Sequence, residues 1–406
     1  MRASPSTSTP ARKRRAAAAR WAGAGVAATE RGRVLAASLL LPGLAAVSAV
    51  RAEEPPEQAT IALKYGWYRD AQPGWDRVRV HSPQVFLSLP FAGAWAVEGS
   101  AVVDSVSGAT PRMHTTVSTA TPYMSDVRRA ADVKVTRYFH RAAISAGIAY
   151  SGENDYVSRA QSLEARWSSE DNNRTWTVGL GHSRDRIDAS ATGGSAIGEH
   201  RETHELLLGA TQVLTARDLV QVQLTRSLDS GYYSDPYKLF DDRPGARRAS
   251  IAFFRWNHFV DGPDATLRTS WRHWRDSFGI RASTLSAEWA QPVGAWTFTP
   301  GLRWHMQSAA SFYFDPVVNA SGIPDSLATR IYAGSLTGYR SADQRLAAFG
   351  AVTVSLKAAY DFGNGQVMDA RVDVLRQAAH YKPGGGSPYL DPMRATFVQL
   401  GWSRKF

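Results

Sequence analysis

The chain contains no cysteine. That absence excludes disulfides, thiolate metal sites, a cysteine nucleophile and a lipoprotein anchor, and it suits a chain that crosses an oxidising compartment. Long apolar runs are also missing. Beyond residue 52 no stretch approaches eighteen consecutive apolar residues, so no membrane-spanning helix is expected. No phosphate-cradling glycine loop is present. Acidic residues are outnumbered, 36 against 47 basic, for a net charge of +11. The excess sits mainly at the N-terminus: residues 1–52 hold nine basic residues and one acid, leaving 38 basic and 35 acidic residues, net +3, for residues 53–406. That split removes the argument for nucleic-acid binding.

What is abundant is aromatic. There are 13 Trp, 15 Tyr and 15 Phe, yet the mean hydropathy is only −0.30. That balance fits strands that alternate between an apolar and a polar face. The N-terminal segment is different. Ser/Thr/Pro-rich and Ala/Arg-rich residues 1–30 precede a charged flank (Arg31, Arg33), the apolar run Val34 to Leu41 continuing to Val50, and small residues around Ala52. This order predicts a disordered basic leader and a cleaved secretory signal peptide over 1–52, with residues 53–406 as one β-barrel domain.

The mature chain shows a period of two, repeated. Ile61, Leu63, Tyr65 and Trp67 share one parity, with Lys64 on the other. Similar segments recur about sixteen times, ending on Met393–Phe406. There Val398, Leu400 and Trp402 alternate with Gln399, Ser403 and Lys405. The eighth, Leu206–Val213, has no assignable parity because three leucines run together. A loop is expected at 70–76, and Pro83 is expected to mark a bulge or a change of parity. The connections alternate between tight turns rich in Gly, Pro, Asn and Asp and longer loops (105–125, 187–200, 231–247, 309–343, 382–391). Two outer connections, near 152–156 and 276–279, are short, which leaves fourteen strands as an alternative count.

A soluble all-β sandwich or propeller produces the same alternation. The signal peptide, strands of ten to fourteen residues, and Trp near strand ends (Trp67, Trp95, Trp167, Trp296, Trp402) favour an all-β, transmembrane, antiparallel up-and-down barrel. The closing strand, ending on Phe406, resembles the recognition strand of bacterial outer-membrane barrels, although Arg404 departs from that pattern. The resemblance implies an integral outer-membrane location, contact with outer-membrane lipid, and recognition by the barrel-assembly machinery through Phe406.

Four further stretches, as a set, resemble an uncharacterised family of bacterial outer-membrane proteins catalogued as a domain of unknown function. They are Asp104-Ser-Val-Ser-Gly-Ala-Thr-Pro111; Gly231-Tyr-Tyr-Ser-Asp-Pro-Tyr-Lys238 with Asp242-Arg243-Pro244 and Arg247-Arg248; Trp271-Arg-His-Trp-Arg-Asp-Ser-Phe-Gly-Ile280; and Ser311-Phe-Tyr-Phe-Asp315 with Tyr339-Arg-Ser-Ala-Asp-Gln-Arg-Leu346. The resemblance implies architecture and location and brings no substrate.

Two groups of candidate residues follow. The inward parity carries Lys64, Glu98, Lys134, Glu164, Arg166, Arg268, Arg272, Glu288, Arg303, Lys357, Asp369, Arg371 and Asp373, together with Asp132 and His305. Such a mixture tolerates water and sets a transverse field; the plainer reading is that these residues solvate the wall or pair with each other. The loop motifs offer Asp104, Ser107, Gly108, Thr110, Pro111, Asp235, Tyr237, Arg243, Arg247, Asp276, Asp315, Asp343 and Arg345. The first of these motifs reads as a structural turn. Asp235, Asp241 and Asp242 are hard oxygen ligands without EF-hand spacing, and neighbouring Arg243, Arg247 and Arg248 are expected to neutralise them. The 309–343 segment is long enough to fold into the mouth.

His200 and His204 lie where a loop enters a strand, and their order is not H-E-x-x-H, so no metal is assigned to them. Ser, His and acid residues are available, but no spacing singles out a hydrolytic set. The expected function is a porin-like channel for small polar solutes, without cofactor, metal or catalysis. The alternative is a narrow or plugged barrel serving as a structural or docking part of an envelope complex, with a periplasmic or surface protein partner.

Overall fold

The computed structural model describes residues 54–108 and 124–406, apart from 322 and 324. The leader and signal-peptide expectation, and motif residues Thr110 and Pro111, lie outside the described residues. Sixteen antiparallel strands close into one barrel: β1 (Thr60–Gln72), β2 (Trp75–Phe91), β3 (Trp95–Gly108), β4 (Met124–Tyr138), β5 (Ala142–Gly152), β6 (Tyr156–Ser168), β7 (Arg174–Ile187), β8 (Glu199–Val213), β9 (Asp218–Gly231), β10 (Ala246–Val260), β11 (Ala265–Asp276), β12 (Arg281–Val293), β13 (Trp296–Gln307), β14 (Phe349–Asp361), β15 (Gln366–Ala378) and β16 (Met393–Lys405). The count is sixteen, not fourteen. All strands but the eleven-residue β5 run to twelve to seventeen residues, longer than the roughly 9–11 that cross a bilayer.

Closure removes the exposed edge that an open sheet would offer for aggregation. β16 pairs with β1 from Thr60↔Lys405 to Ala71↔Arg394. Two backbone bonds of 3.0 Å between Ala59 and Phe406 extend that seam by one residue. Residues directly opposite in a ladder share a face, so one outward residue fixes the parity of the wall. From Leu63 the outward set passes through Trp402, Met368 and Tyr360, and on around the barrel. Its members are exposed apolar residues: Ile148, Leu163, Leu180, Leu224, Leu302, Val354 and Leu400. In β8 the ladder places Leu206 and Leu208 outward, opposite Leu180 and Val178, and Leu207 inward.

Three expectations change. The loop at 70–76 is a two-residue turn at Pro73 and Gly74, with β1 and β2 running on to Gln72 and Trp75. Its polarity comes from the rim: Arg69 binds Asp76 at 2.7 Å, and buried Asp70 lies 3.6 Å from Arg77. Pro83 makes neither a bulge nor a parity change. Its pairing with Tyr65 is in register, and β2 keeps one register with β3 on either side of it. The Asp104 motif is not a turn either, since β3 continues to Gly108.

The two ends of the barrel differ in kind. Short turns such as 92–94, 261–264 and 294–295 close one end, where Trp95, Trp167, Trp176, Trp289, Trp296 and Trp402 form an aromatic belt. The other end carries outward arginines, including Arg79, Arg159 and Arg184, and the long loops 188–198, 232–245, 308–348 and 379–392. One helix, α1 (Ser326–Ser335), lies in the longest loop, capped by Asp325 accepting from Ala328 N. Among the described residues, no helix is long and apolar enough to cross a membrane.

Candidate functional site

The ladders place all thirteen predicted lumenal residues on the inward parity, in two groups. Around β3–β6 the charges are matched: Lys134 Nζ lies 2.5 Å from Glu98, and Arg166 lies 3.4 Å from Glu164. Ser100 donates a hydrogen bond to Asp132. Around β10–β15 the wall is more basic. Arg371 reaches Asp373 at 2.8 Å and Glu288 at 3.7 Å, and Lys357 reaches Asp369 at 3.7 Å. Because β12 and β15 are not neighbours, the Arg371–Glu288 contact runs over the inner surface. Lys64 lies within electrostatic reach of Asp369, Lys357 and Arg371, and His305 Nδ1 lies 2.8 Å from Thr284 Oγ1.

Arg268 sits opposite Glu288 in the ladder, but its Nε has no hydrogen-bond partner. Arg272 lies over the Trp274 ring at 5.3 Å, and Arg272 and Arg303 are both exposed inside the barrel. Sequence reasoning missed Arg255. The ladder sets it inward beside Ser270, over the Phe253 ring at 5.2 Å. The surrounding run Phe253-Phe254-Arg255-Trp256 hides its parity, and only pairing reveals it.

The loop motifs assemble into a cap. Gly231 starts the second motif with φ +121°, and a Cβ there would stand 2.1 Å from His200 O, so glycine alone permits this exit from β9. Asp235 N then donates to Asp241 Oδ2 at 3.0 Å, and Tyr237 N donates to Asp235 Oδ1 at 3.1 Å. From the 308–348 loop, Asp343 enters this turn with no exposed surface. Lys238 Nζ lies 2.7 Å from Asp343 and 2.8 Å from Asp235. Arg243 holds Asp241 with two bonds of 2.8 and 2.7 Å and reaches Asp343 at 2.7 Å. Arg345 binds both oxygens of Asp343 and lies 3.0 Å from Asp235.

Three carboxylates thus meet three cations at close range, and the six formal charges cancel. Burial acts to raise the Asp235 carboxyl, but Lys238 and Arg345 outweigh it and hold it below the ordinary range. The oxygens of Asp235, Asp241 and Asp343 lie close enough together to hold a metal ion. The cations already occupy that role, and the geometry is that of a structural knot. The expected neutralisation is therefore carried by Arg243 but not by Arg247 or Arg248. Arg247 binds Asp276, and Arg248 N donates to Ser277 Oγ at 3.0 Å. Asp242 lies outside the knot, bridged to Arg340.

Apolar packing surrounds the knot. Phe278, 1% exposed, contacts Tyr233 and Phe312 edge-on at 5.5 and 5.1 Å, with Ile280 and Leu346 alongside. Asp276 shapes that turn by accepting from Phe278 N, Ile280 N (both 3.0 Å) and Trp274 Nε1 (3.0 Å). Gly279 turns at φ +86° against Ser311 N. Tyr313 donates to Asp315 at 3.1 Å, and burial raises that carboxyl. On the far side, Gln72 of β1 donates to Gln344 at 3.2 Å. β1 and β9 stand opposite in the strand order, so the 232–245 and 308–348 loops together span the mouth from one wall to the other.

Asp104 lies apart from the cap, bound by Arg128 at 2.5 Å and by Ser82. Ser107 pairs in the ladder with Arg79 and Ser125, and Gly108 ends β3. His200 and His204 are exposed on the outward face of β8, where His204 stacks on His182 at 4.7 Å.

A closed sixteen-stranded wall, apolar outside and charged within, with short turns at one end and a packed loop cap at the other, defines an outer-membrane-type β-barrel. The chain belongs to the family described as "Protein of unknown function (DUF3570)", whose profile matches residues 31–198 and 194–403. No curated protein sequence matches it. Similar solved structures include a "Bacterial polysaccharide outer membrane secretin" (8% identity, TM-score 0.49, covering 88% of this chain and 100% of that one). Others are OpdQ of Pseudomonas aeruginosa (9%, 0.41, 86% and 99%) and a FadL homologue of the same organism (11%, 0.40, 86% and 90%).

Proposed function

We propose that this barrel resides in the bacterial outer membrane and conducts small polar solutes, with a preference for anions. The observation that supports this is the lumenal wall over β10–β15. Arg255, Arg268, Arg272, Arg303, Lys357 and Arg371 outnumber Glu288, Asp369 and Asp373 along that wall, and Arg272 and Arg303 remain accessible to solvent inside the barrel. Basic rings of this type select anions in pores. Exposed Phe406 at the barrel seam serves, in this reading, as the signal for the assembly machinery. Planar-bilayer recording of purified, folded protein tests it. Stepwise conductance with a reversal potential towards chloride is expected, shifted towards cations in Arg303→Glu. Absence of any conductance overturns it.

One observation favours a second reading, a docking component of the envelope: the carboxylates of the cap knot are buried, and the loops that carry it span the mouth. That reading expects no conductance from the intact protein or from a variant lacking most of residues 316–338. No enzymatic step is invoked in either reading.

A further inference from the structure

A second group of three carboxylates lies in the outer loops and belongs neither to the lumenal wall nor to the cap knot. Asp126 stands at the outer end of β4, and Glu153 and Asp155 lie in the short connection from β5 to β6. One carboxylate oxygen of each lies within 4.8 Å of the others. Asp126 and Asp155 are 4% and 6% exposed, so water does little to offset their charge.

The hydrogen bonding of these two residues is half complete. Asp126 Oδ1 accepts from Val127 N and Asn154 Nδ2, both at 2.7 Å, while Asp126 Oδ2 is buried without a partner. Asp155 Oδ2 accepts from the Tyr237 hydroxyl, while Asp155 Oδ1 is likewise buried without a partner. One oxygen of each carboxylate is thus fixed in place, and the other has no hydrogen-bond partner among the described residues. No ion pair to Asp126 or Asp155 forms among the described residues, and the charges felt most strongly at Asp155 are those of Asp126 and Asp235, both repulsive. A buried carboxylate oxygen without donor or cation is costly, and the cost is relieved by a proton or a metal ion.

We propose that Asp126, Glu153 and Asp155 bind a calcium ion. The donor set is oxygen only, with no His or Cys, which selects a hard cation. A tight turn beside a strand end supplies irregular geometry, which calcium accepts and the smaller, strictly octahedral magnesium does not. The ion ties β4 to the β5–β6 turn. Through Tyr237, whose hydroxyl also lies 2.5 Å from Thr192 Oγ1, it ties both to the 188–198 and 232–245 loops. Calcium then holds the β4–β8 side of the outer surface as the cap knot holds the β9–β14 side. The proposal does not depend on whether the lumen conducts.

The test uses the full-length folded barrel in detergent and calcium chloride alone as ligand. Wild type in calcium should unfold several degrees above wild type in EDTA, with magnesium at equal concentration giving a much smaller shift. Terbium should show saturable emission sensitised by the adjacent Tyr237, displaced by calcium with a dissociation constant on the order of 10⁻⁴ to 10⁻³ M, as for extracellular calcium modules. Asp155→Asn should abolish both responses, and Asp76→Asn, at the exposed β1–β2 turn, should keep both. Should Asp155→Asn fail to fold, Asp126→Asn and the wild-type comparison decide. The proposal is overturned by wild type behaving alike in calcium and EDTA, or by Asp155→Asn retaining the calcium shift. It is also overturned if acidification in EDTA stabilises wild type while calcium does not, which would mean that the carboxylates share a proton. An equal response to magnesium overturns the assignment to calcium.

Discussion

Two triads of carboxylates are buried in the same set of outer loops, and their surroundings are opposite. Asp235, Asp241 and Asp343 are met by Lys238, Arg243 and Arg345, and every one of these six residues takes part in an ion pair. Asp126 and Asp155 form no ion pair among the described residues, and each keeps one oxygen without a hydrogen-bond partner there. The contrast teaches that acidic clustering alone says little. A buried carboxylate group becomes structure when its countercharges are built in, and a binding site when they are left out.

The largest expected effect tests the balanced side. Asp343→Ala leaves Lys238, Arg243 and Arg345 without their shared anion. Removing one partner from a buried pair costs about 3–5 kcal/mol. Heat-modifiable migration on gels should show the variant unfolding well below wild type. Unchanged stability would mean that the knot does not hold the cap.

The wall supplies a scale independent of both triads. Val354→Arg puts a charge on the lipid face and should cost on the order of 2–4 kcal/mol, with poor assembly. Thr353→Arg, one residue away and paired inward with Arg303 and Leu375, should be tolerated far better. Equal effects from both would break the parity assignment.

A smaller effect of opposite sign is expected from the unbalanced triad. In EDTA, Asp155→Asn removes an uncompensated buried charge, and its stability should equal or slightly exceed that of wild type in a denaturant titration. A loss comparable to that of Asp343→Ala would erase the distinction between the triads.

The finest comparison is by pH. Asp235 is held below the ordinary carboxylate range in the folded chain, so its contribution is present above the unfolded pKa and is lost as pH falls through the folded value. Burial raises the Asp155 carboxyl, so in EDTA the stability tied to its protonated form is present at low pH. That part is lost as pH rises through a folded value above the ordinary range. Thermal midpoints across acid to neutral pH should show the first trend in Asp155→Asn and both trends in wild type. A single shared trend would contradict the two environments.

Much of this was legible in the residues. Alternation at Leu63, Tyr65 and Trp67, or at Val398, Leu400 and Trp402, is a local property, because successive side chains of a strand point to opposite faces. The inward charges follow from the same rule. It fails where the pattern is locally degenerate, as at Leu206–Leu208, or masked by neighbouring aromatics, as at Arg255. The motifs around Asp235, Asp276 and Asp343 stood out by composition, and the structure brings them together in one cap. Asp126 and Asp155 did not stand out. One is a strand residue and the other lies in a three-residue turn.

The sequence by itself determined the wall: strand periodicity, turn chemistry and the sign of each face are encoded within a few residues of one another. Only the tertiary structure decided which loop charges meet. Asp235 and Arg345 are 110 residues apart and Tyr237 and Asp155 are 82, and no periodicity links loops that touch only because the barrel has closed. Closure brings those loops over one mouth. There, exclusion of water makes the presence or absence of a countercharge decide what each carboxylate does.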